Sequence, residues 1–428
     1  MTKPDNDPTR YLTCEQLSRP LSRRGLLRSA GAFAATFTAS SLLPVLPSLA
    51  QARDPRFLLV ILRGGLDGLS AVLPMGDPDF ARVREGFLED LAKAGEAPKL
   101  DAIFSLNPAM KTLASLYAQK QALFVQATAT PYRERSHFDG QEILESGLPA
   151  AVHPDTGWLN RALQQIEGQA RARDKVAAQR ELGLGVGPMV PLVMRGKAPV
   201  LSWSPQHLVQ ATDDTVARLM ALYEARDPFL ASVLRRGATT AKETKNIDQT
   251  LVNKGAGGGA VLAMAEGAAR FLSKPDGPRI GTLSIDGWDT HADERPGTGR
   301  LSQLLGTLDK LFEGLTTGLK PVWSDTVVAV VTEFGRTVRI NGTAGTDHGT
   351  ATTAFLLGGA VKGGRVIADW PGLSDAALHE NRDLKPTTDL RAILKGVLIE
   401  HLGVDAKAAG TLVFPDSGLV APSVGLIA

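Results

Sequence analysis

The sequence predicts a doubly wound, mostly parallel α/β sheet in three layers, and two observations carry that prediction. Several short runs are apolar at every position, as strands covered on both faces must be. Between them, polar loops and amphipathic helical stretches recur along most of the chain, which suits a parallel sheet rather than a sandwich or bundle. No internal repeat of solenoid length is present.

Taken in order, residues 56–62 read as a buried strand that ends in the turn Arg63-Gly64-Gly65-Leu66-Asp67-Gly68. Residues 108–119 have a helical apolar stripe, 122–127 form a second buried strand, and 136–146 form a helix with Ser136 at its N-cap. From 164 to 259 the texture changes to charged helical segments around a Gly- and Pro-rich stretch at 183–199, with a flexible joint at 255–259. This region is expected to be an insertion or lid. A helix at 261–272 leads to a third strand at 279–285, a helix at 301–315 to a fourth at 326–331, and a fifth follows at 353–357. A closing helix is expected over 388–402.

The first 52 residues have a different character. Ser22-Arg23-Arg24-Gly25-Leu26-Leu27 precedes a moderately apolar run, and Ala50-Gln51-Ala52 supplies small residues at a cleavage position. This is the layout of a twin-arginine signal peptide, so the protein is expected to be exported already folded and to work in the periplasm or outside the cell. The leader holds six of the 47 basic residues and three of the 45 acidic ones, leaving 41 and 42 in the domain at 53–428. The remainder is close to neutral, so nothing points to a nucleic-acid partner. The single cysteine, Cys14, also lies in the leader, which removes disulfides and a thiol nucleophile from the domain. The apolar run is too short and too polar for a permanent membrane span.

In open α/β sheets, ligands gather beyond the carboxyl ends of parallel strands. The corresponding loops carry Asp67 after the first strand, Ser136, His137 and Asp139 after the second, and Asp286, Asp289 and His291 after the third. Glu333 and Arg336 follow the fourth, and Asp347 and His348 precede the fifth. Mixed carboxylate and imidazole ligands suit divalent zinc, manganese, magnesium or calcium. Two such ions could clamp a phosphoryl or sulfuryl oxygen. Ser136 is the natural nucleophile, because a helix N-terminus and a cation both favour its alkoxide, and His137 and Arg336 complete the candidate catalytic group.

Each residue also has a structural alternative. Asp67-Gly68 is ordinary turn chemistry, Ser136 with Asp139 is a capping-box variant, and Glu333 with Arg336 is an internal ion pair. Asp347-His348-Gly349 is the stronger signal, since an exposed loop gains little from that trio. His153, His207, His379 and His401 lack strand-end context and are assigned to structural or surface positions. An oxidoreductase is disfavoured, because no G-x-G-x-x-G joins a strand to a helix and no haem, flavin or copper motif occurs.

The segments Leu62-Arg63-Gly64-Gly65-Leu66-Asp67-Gly68-Leu69, Arg135-Ser136-His137-Phe138-Asp139, Gly287-Trp288-Asp289-Thr290-His291, Thr332-Glu333-Phe334-Gly335-Arg336-Thr337 and Asp347-His348-Gly349-Thr350 together carry a resemblance. In that order the chain resembles the DUF1501 family of exported bacterial proteins, usually placed in the alkaline phosphatase and sulfatase superfamily. The resemblance implies an alkaline-phosphatase-like fold and a metal-dependent hydrolase of phosphate or sulfate esters, acting on a small molecule or a polymer. It matches Asp67 to a metal-binding aspartate, Ser136 to the nucleophile, Asp289 and His291 to an aspartate-histidine metal pair, and His348 to a later histidine ligand. Glu333 stands where the superfamily carries an Asp-His pair, and Asp347 beside His348 joins the expected metal set. The missing histidine after Glu333 leaves an alternative, an exported binding or assembly protein that keeps the fold without catalysis. Formylglycine-type sulfatases need Cys or Ser before x-Pro-x-Arg. Ala129-Thr130-Pro131-Tyr132-Arg133 has alanine there, which excludes that chemistry and leaves Thr130 as a second candidate nucleophile. The translocation machinery is the other expected partner.

Overall fold

The computed structural model describes residues 53–173, 182–205, 213–244 and 258–428. The expected leader at 1–52, His207, and residues 255–257 of the expected joint lie outside the described residues. Among the described residues, nine strands join one sheet. They are β1 (Arg56–Arg63), β2 (Ala122–Ala129), β3 (Gly183–Val186), β4 (Val200–Trp203), β5 (Ile280–Asp286), β6 (Thr326–Thr332), β7 (Thr352–Leu357), β8 (Arg365–Ile367) and β9 (Thr388–Asp389). The order across the sheet is β8-β2-β7-β6-β1-β5-β3-β4, with β9 paired to β2 as well.

The alternation of β1 builds the three layers. Leu58, Val60 and Leu62 pack on one face with Leu305, Leu308 and Phe312 of a helix spanning Arg300–Gly318. Phe57, Leu59 and Ile61 face the other way, toward Trp158 and Leu159 and toward Leu394 and Val397 of the helix Leu390–Glu400. Burying each such side chain contributes about 1.5–3 kcal/mol, so a strand apolar at every position is stable only between two helical layers. That is the physical content of the continuous apolar runs.

Two features were not legible in the pattern. β7 runs antiparallel to both β2 and β6 within an otherwise parallel set. Region 164–259, expected as an insertion or lid, contributes β3 and β4 to the main sheet, where β3 pairs with β5. Glycines at 183 and 185 and the following Pro-rich run resemble loop chemistry, and only the neighbouring strand identifies them as sheet. The same region holds two consecutive helices, Asp213–Arg226 and Pro228–Thr244. Among the described residues, no helix is long and apolar enough to cross a membrane.

Candidate metal centre

The carboxyl ends of β1, β2, β5 and β6 open on one rim, and the reversed direction of β7 delivers the loop that precedes it to that rim too. A bridge between Arg336 and His348 joins the loops after β6 and before β7. Gly64, at φ 121°, lies so close to the loop after β5 that a Cβ would come within 2.4 Å of the Asp289 nitrogen. Its own N–H donates to Glu333 Oε1 at 2.8 Å. A glycine is therefore required where three loops meet.

Four side chains converge, and one ligand atom each from His137, Asp289 and His348 lies close enough to the others to hold a metal ion. His348 Nε2 lies 2.9 Å from His137 Nε2 and 2.9 Å from His291 Nε2. Asp289 Oδ1 lies 3.0 Å from His291 Nε2, 3.2 Å from His348 Nε2 and 3.5 Å from His137 Nε2. Neighbouring donors around an ion at about 2.0–2.1 Å are separated by roughly 2.9–3.4 Å, so these spacings suit a shared cation.

Hydrogen bonding on the far side of each ring fixes what the near side presents. His348 Nδ1 donates to the Arg135 carbonyl at 2.9 Å, since a carbonyl only accepts. His137 Nδ1 faces Glu333 Oε1 at 2.8 Å, and His291 Nδ1 faces Asp347 Oδ1 at 3.3 Å. Each Nε2 is thereby left with a lone pair directed into the cluster. One proton can bridge one pair of these atoms, whereas a divalent cation satisfies His137, Asp289 and His348 together, with His291 beside Asp289 and His348. The pairing of every imidazole with a carboxylate or carbonyl behind it is also how metal-bound histidines are oriented. The residues present thus fit the divalent metal expected from the sequence.

The electrostatics agree. Burial would raise the Glu333 carboxyl, but hydrogen bonds from His137, Gln141 and the Gly64 backbone outweigh it and hold the pKa below the usual range. The same Glu333 contact raises the His137 pKa against the opposing effect of burial. Burial, then the neighbouring His137, lowers that of His348. Asp289 is lowered because the Arg336 guanidinium, 2.6 Å from Oδ1, overcomes the cost of burial. Hydrogen bonding from Asn341 lowers Asp347.

The expected residues therefore separate. His137, expected as a catalytic group, stands in the donor set with Asp289, His291 and His348. Glu333 and Asp347, expected as ligands, stand behind His137 and His291 and orient them. Arg336, expected to be catalytic, is buried and spends its donors on Asp289, Thr346 and the Gly64 carbonyl. Asp67 is away from the cluster: its two oxygens meet Arg84 at 2.5 and 3.0 Å, in a pair where both side chains are 0–1% exposed. Asp139 accepts from the Tyr132 hydroxyl at 3.2 Å, and Asp286 points to solvent at the end of β5.

Ser136 is the N-cap of the helix His137–Ser146, with no side-chain capping bond, and its hydroxyl lies beside the Tyr132 phenol. Thr130 is buried against the Glu333 backbone at 3.5 Å. His153 pairs with Glu142, His379 lies near Glu380, and His401 is buried against the Arg56 carbonyl, which accords with structural positions for them. Sequence reasoning missed Arg84, Gln141, Glu294 and Asn341. Only Gln141 left a signal, because it is one helical turn from His137 and reaches the same carboxylate, 3.1 Å from Glu333 Oε1.

Residues 54–411 match the model of a family described as "Protein of unknown function (DUF1501)". Comparison with curated proteins finds no match. Among solved structures, Ps i-CgsB in complex with k-i-k-neocarrahexaose is similar at 10% identity and a TM-score of 0.38, covering 86% of this chain and 77% of that one. A protein in the alkaline phosphatase superfamily from Vibrio parahaemolyticus is similar at 11% identity and a TM-score of 0.34, covering 71% and 60%. Alkaline phosphatase from the Antarctic bacterium TAB5 gives 12% identity and a TM-score of 0.34, with 74% and 95% covered. At such scores these likenesses carry no argument about chemistry.

Proposed function

The chain belongs to the DUF1501 family, and from its donor cluster we propose that it is a metal-dependent hydrolase of phosphate or sulfate esters, exported by the twin-arginine route. The observation that carries this reading is the convergence of His137, His291 and His348 Nε2 with Asp289 Oδ1, each ring held from behind by an acceptor. A divalent ion held there supplies Lewis-acid polarisation of an ester oxygen. The protein contributes the open rim, with Asp289 and His291 side chains 40% and 44% exposed, which admits a substrate to the cluster. Ser136, one residue before His137, is the proposed nucleophile, and its hydroxyl is not committed to capping the helix.

With Asp67 occupied by Arg84, the reading is of one ion rather than two. Elemental analysis of the purified chain should find one equivalent of a divalent metal. The metal-loaded protein should hydrolyse aryl phosphate or aryl sulfate, and Ser136→Ala should abolish turnover while leaving the metal bound. Bound metal without turnover on any ester would favour the exported binding protein instead, and no bound metal would sink the hydrolase. Export is tested by replacing Arg23 and Arg24 with lysine, which should retain the protein in the cytoplasm.

A further inference from the structure

We infer that Glu294 is a positioning residue for the Asp289 carboxylate, acting through Thr346 and Arg336; the inference rests on the metal-site reading above. Glu294 is fully buried beyond β5, and its side chain makes no hydrogen bond to the four donors. Its Oε2 accepts from the Thr346 hydroxyl at 2.6 Å. The same hydroxyl oxygen accepts from Arg336 Nε at 3.2 Å, and Arg336 also donates to the Thr346 carbonyl at 2.5 Å. The remaining arm of the guanidinium reaches Asp289 Oδ1 at 2.6 Å.

A threonine hydroxyl has one proton and a free rotor. With Glu294 taking that proton, the hydroxyl must show a lone pair to Arg336. Without an acceptor at Glu294, the proton is free to swing toward the guanidinium, placing donor against donor, and the arm that holds Asp289 loses its anchor. The direction of the whole chain is set at its far end. The Glu294 carboxyl faces Asp67, whose charge is held by Arg84, and burial followed by that neighbouring charge raises the Glu294 pKa well above the usual range. Glu294 Oε1 has no N–H or hydroxyl partner, which leaves it as the seat of the proton shared with Asp67. A neutral acid thus donates to Asp67 and accepts from Thr346.

Glutamine can do both, because its amide donates where the acid's O–H does and its carbonyl accepts from Thr346. Zinc affinity measured by competition with a chelating dye, alongside Tm, separates this role from a general structural one. Glu294→Ala and Thr346→Val should weaken zinc binding by about 10–100-fold, the usual cost of losing an outer partner. Glu294→Gln and Thr346→Ser should bind as the parent does. If Glu294→Ala does not fold, the Thr346 pair decides alone. Parent-like affinity in Thr346→Val, or a loss in Glu294→Gln equal to that in Glu294→Ala, overturns the inference while leaving the metal site standing. No zinc binding by the parent chain overturns both.

Discussion

The donor cluster of His137, Asp289, His291 and His348 and the buried trio of Asp67, Arg84 and Glu294 are each built around an aspartate in the loop after one of two adjacent strands, Asp289 after β5 and Asp67 after β1. They differ in where the positive charge comes from. In the trio, Arg84 supplies it, bonding Asp67 and tying down the Thr337 and Val338 carbonyls at 2.8 and 2.5 Å. In the cluster, Arg336 reaches a single oxygen of Asp289, and three ring nitrogens are left turned toward one another. The trio is sealed, with side chains 0% and 1% exposed, while the cluster side chains range from 23% to 44%. An acidic residue at a strand end is a strut when a guanidinium takes both of its oxygens, as Arg84 does at Asp67, and a candidate ligand when a guanidinium reaches one oxygen and ring nitrogens share it.

The sharpest way to break this comparison is to remove the internal cation. Arg84→Met leaves Asp67 buried without its partner and should cost about 3–5 kcal/mol in urea denaturation, with metal stoichiometry unchanged in the folded fraction. Uptake of a second ion by this variant would show that Asp67 is a ligand held in check. Next in size, His348→Ala removes the nitrogen nearest both other rings. Zinc affinity should fall by more than about 100-fold, beyond the range for outer partners, with the metal-free Tm little changed. A Tm collapse there would make the cluster structural.

Glu333→Gln should weaken zinc by about 10–100-fold through the misoriented His137 ring. The smallest effect is that of pH. Bound metal needs an unprotonated His137 Nε2, and Glu333 raises that pKa above 6.5. Affinity should therefore be full above the raised value and fall as pH drops through it. Glu333→Gln should move the fall to lower pH, and a titration in which both proteins fall together would remove Glu333 from its place behind His137.

Much of the fold could be read from local pattern. The strands at 56–62, 122–127, 279–285 and 326–331 each lie within a strand of the sheet or begin one residue early, because an apolar run is its own evidence of two-sided burial. Short β3 and β4 were hidden by glycine and proline, and the helix Phe80–Ala94 that carries Arg84 was passed over. His291 and His348 were read as ligands from the sequence. That His137 joins them, with Glu333 and Asp347 behind the rings, was not legible, because it depends on which nitrogen meets which oxygen.

By itself, then, the sequence determined the layered sheet, the rim on which chemistry could gather and the set of residues eligible for it, since these follow from periodicity and from the direction of parallel strands. Tertiary structure alone decided which of them converge as candidate ligands and which brace those. The antiparallel course of β7 brings His348 to His137, 211 positions away, and the path of the helix Phe80–Ala94 turns Arg84 back to Asp67, 17 positions before it. Hydrogen-bond partnership is short-ranged and directional, so it is settled only when the chain has closed around it.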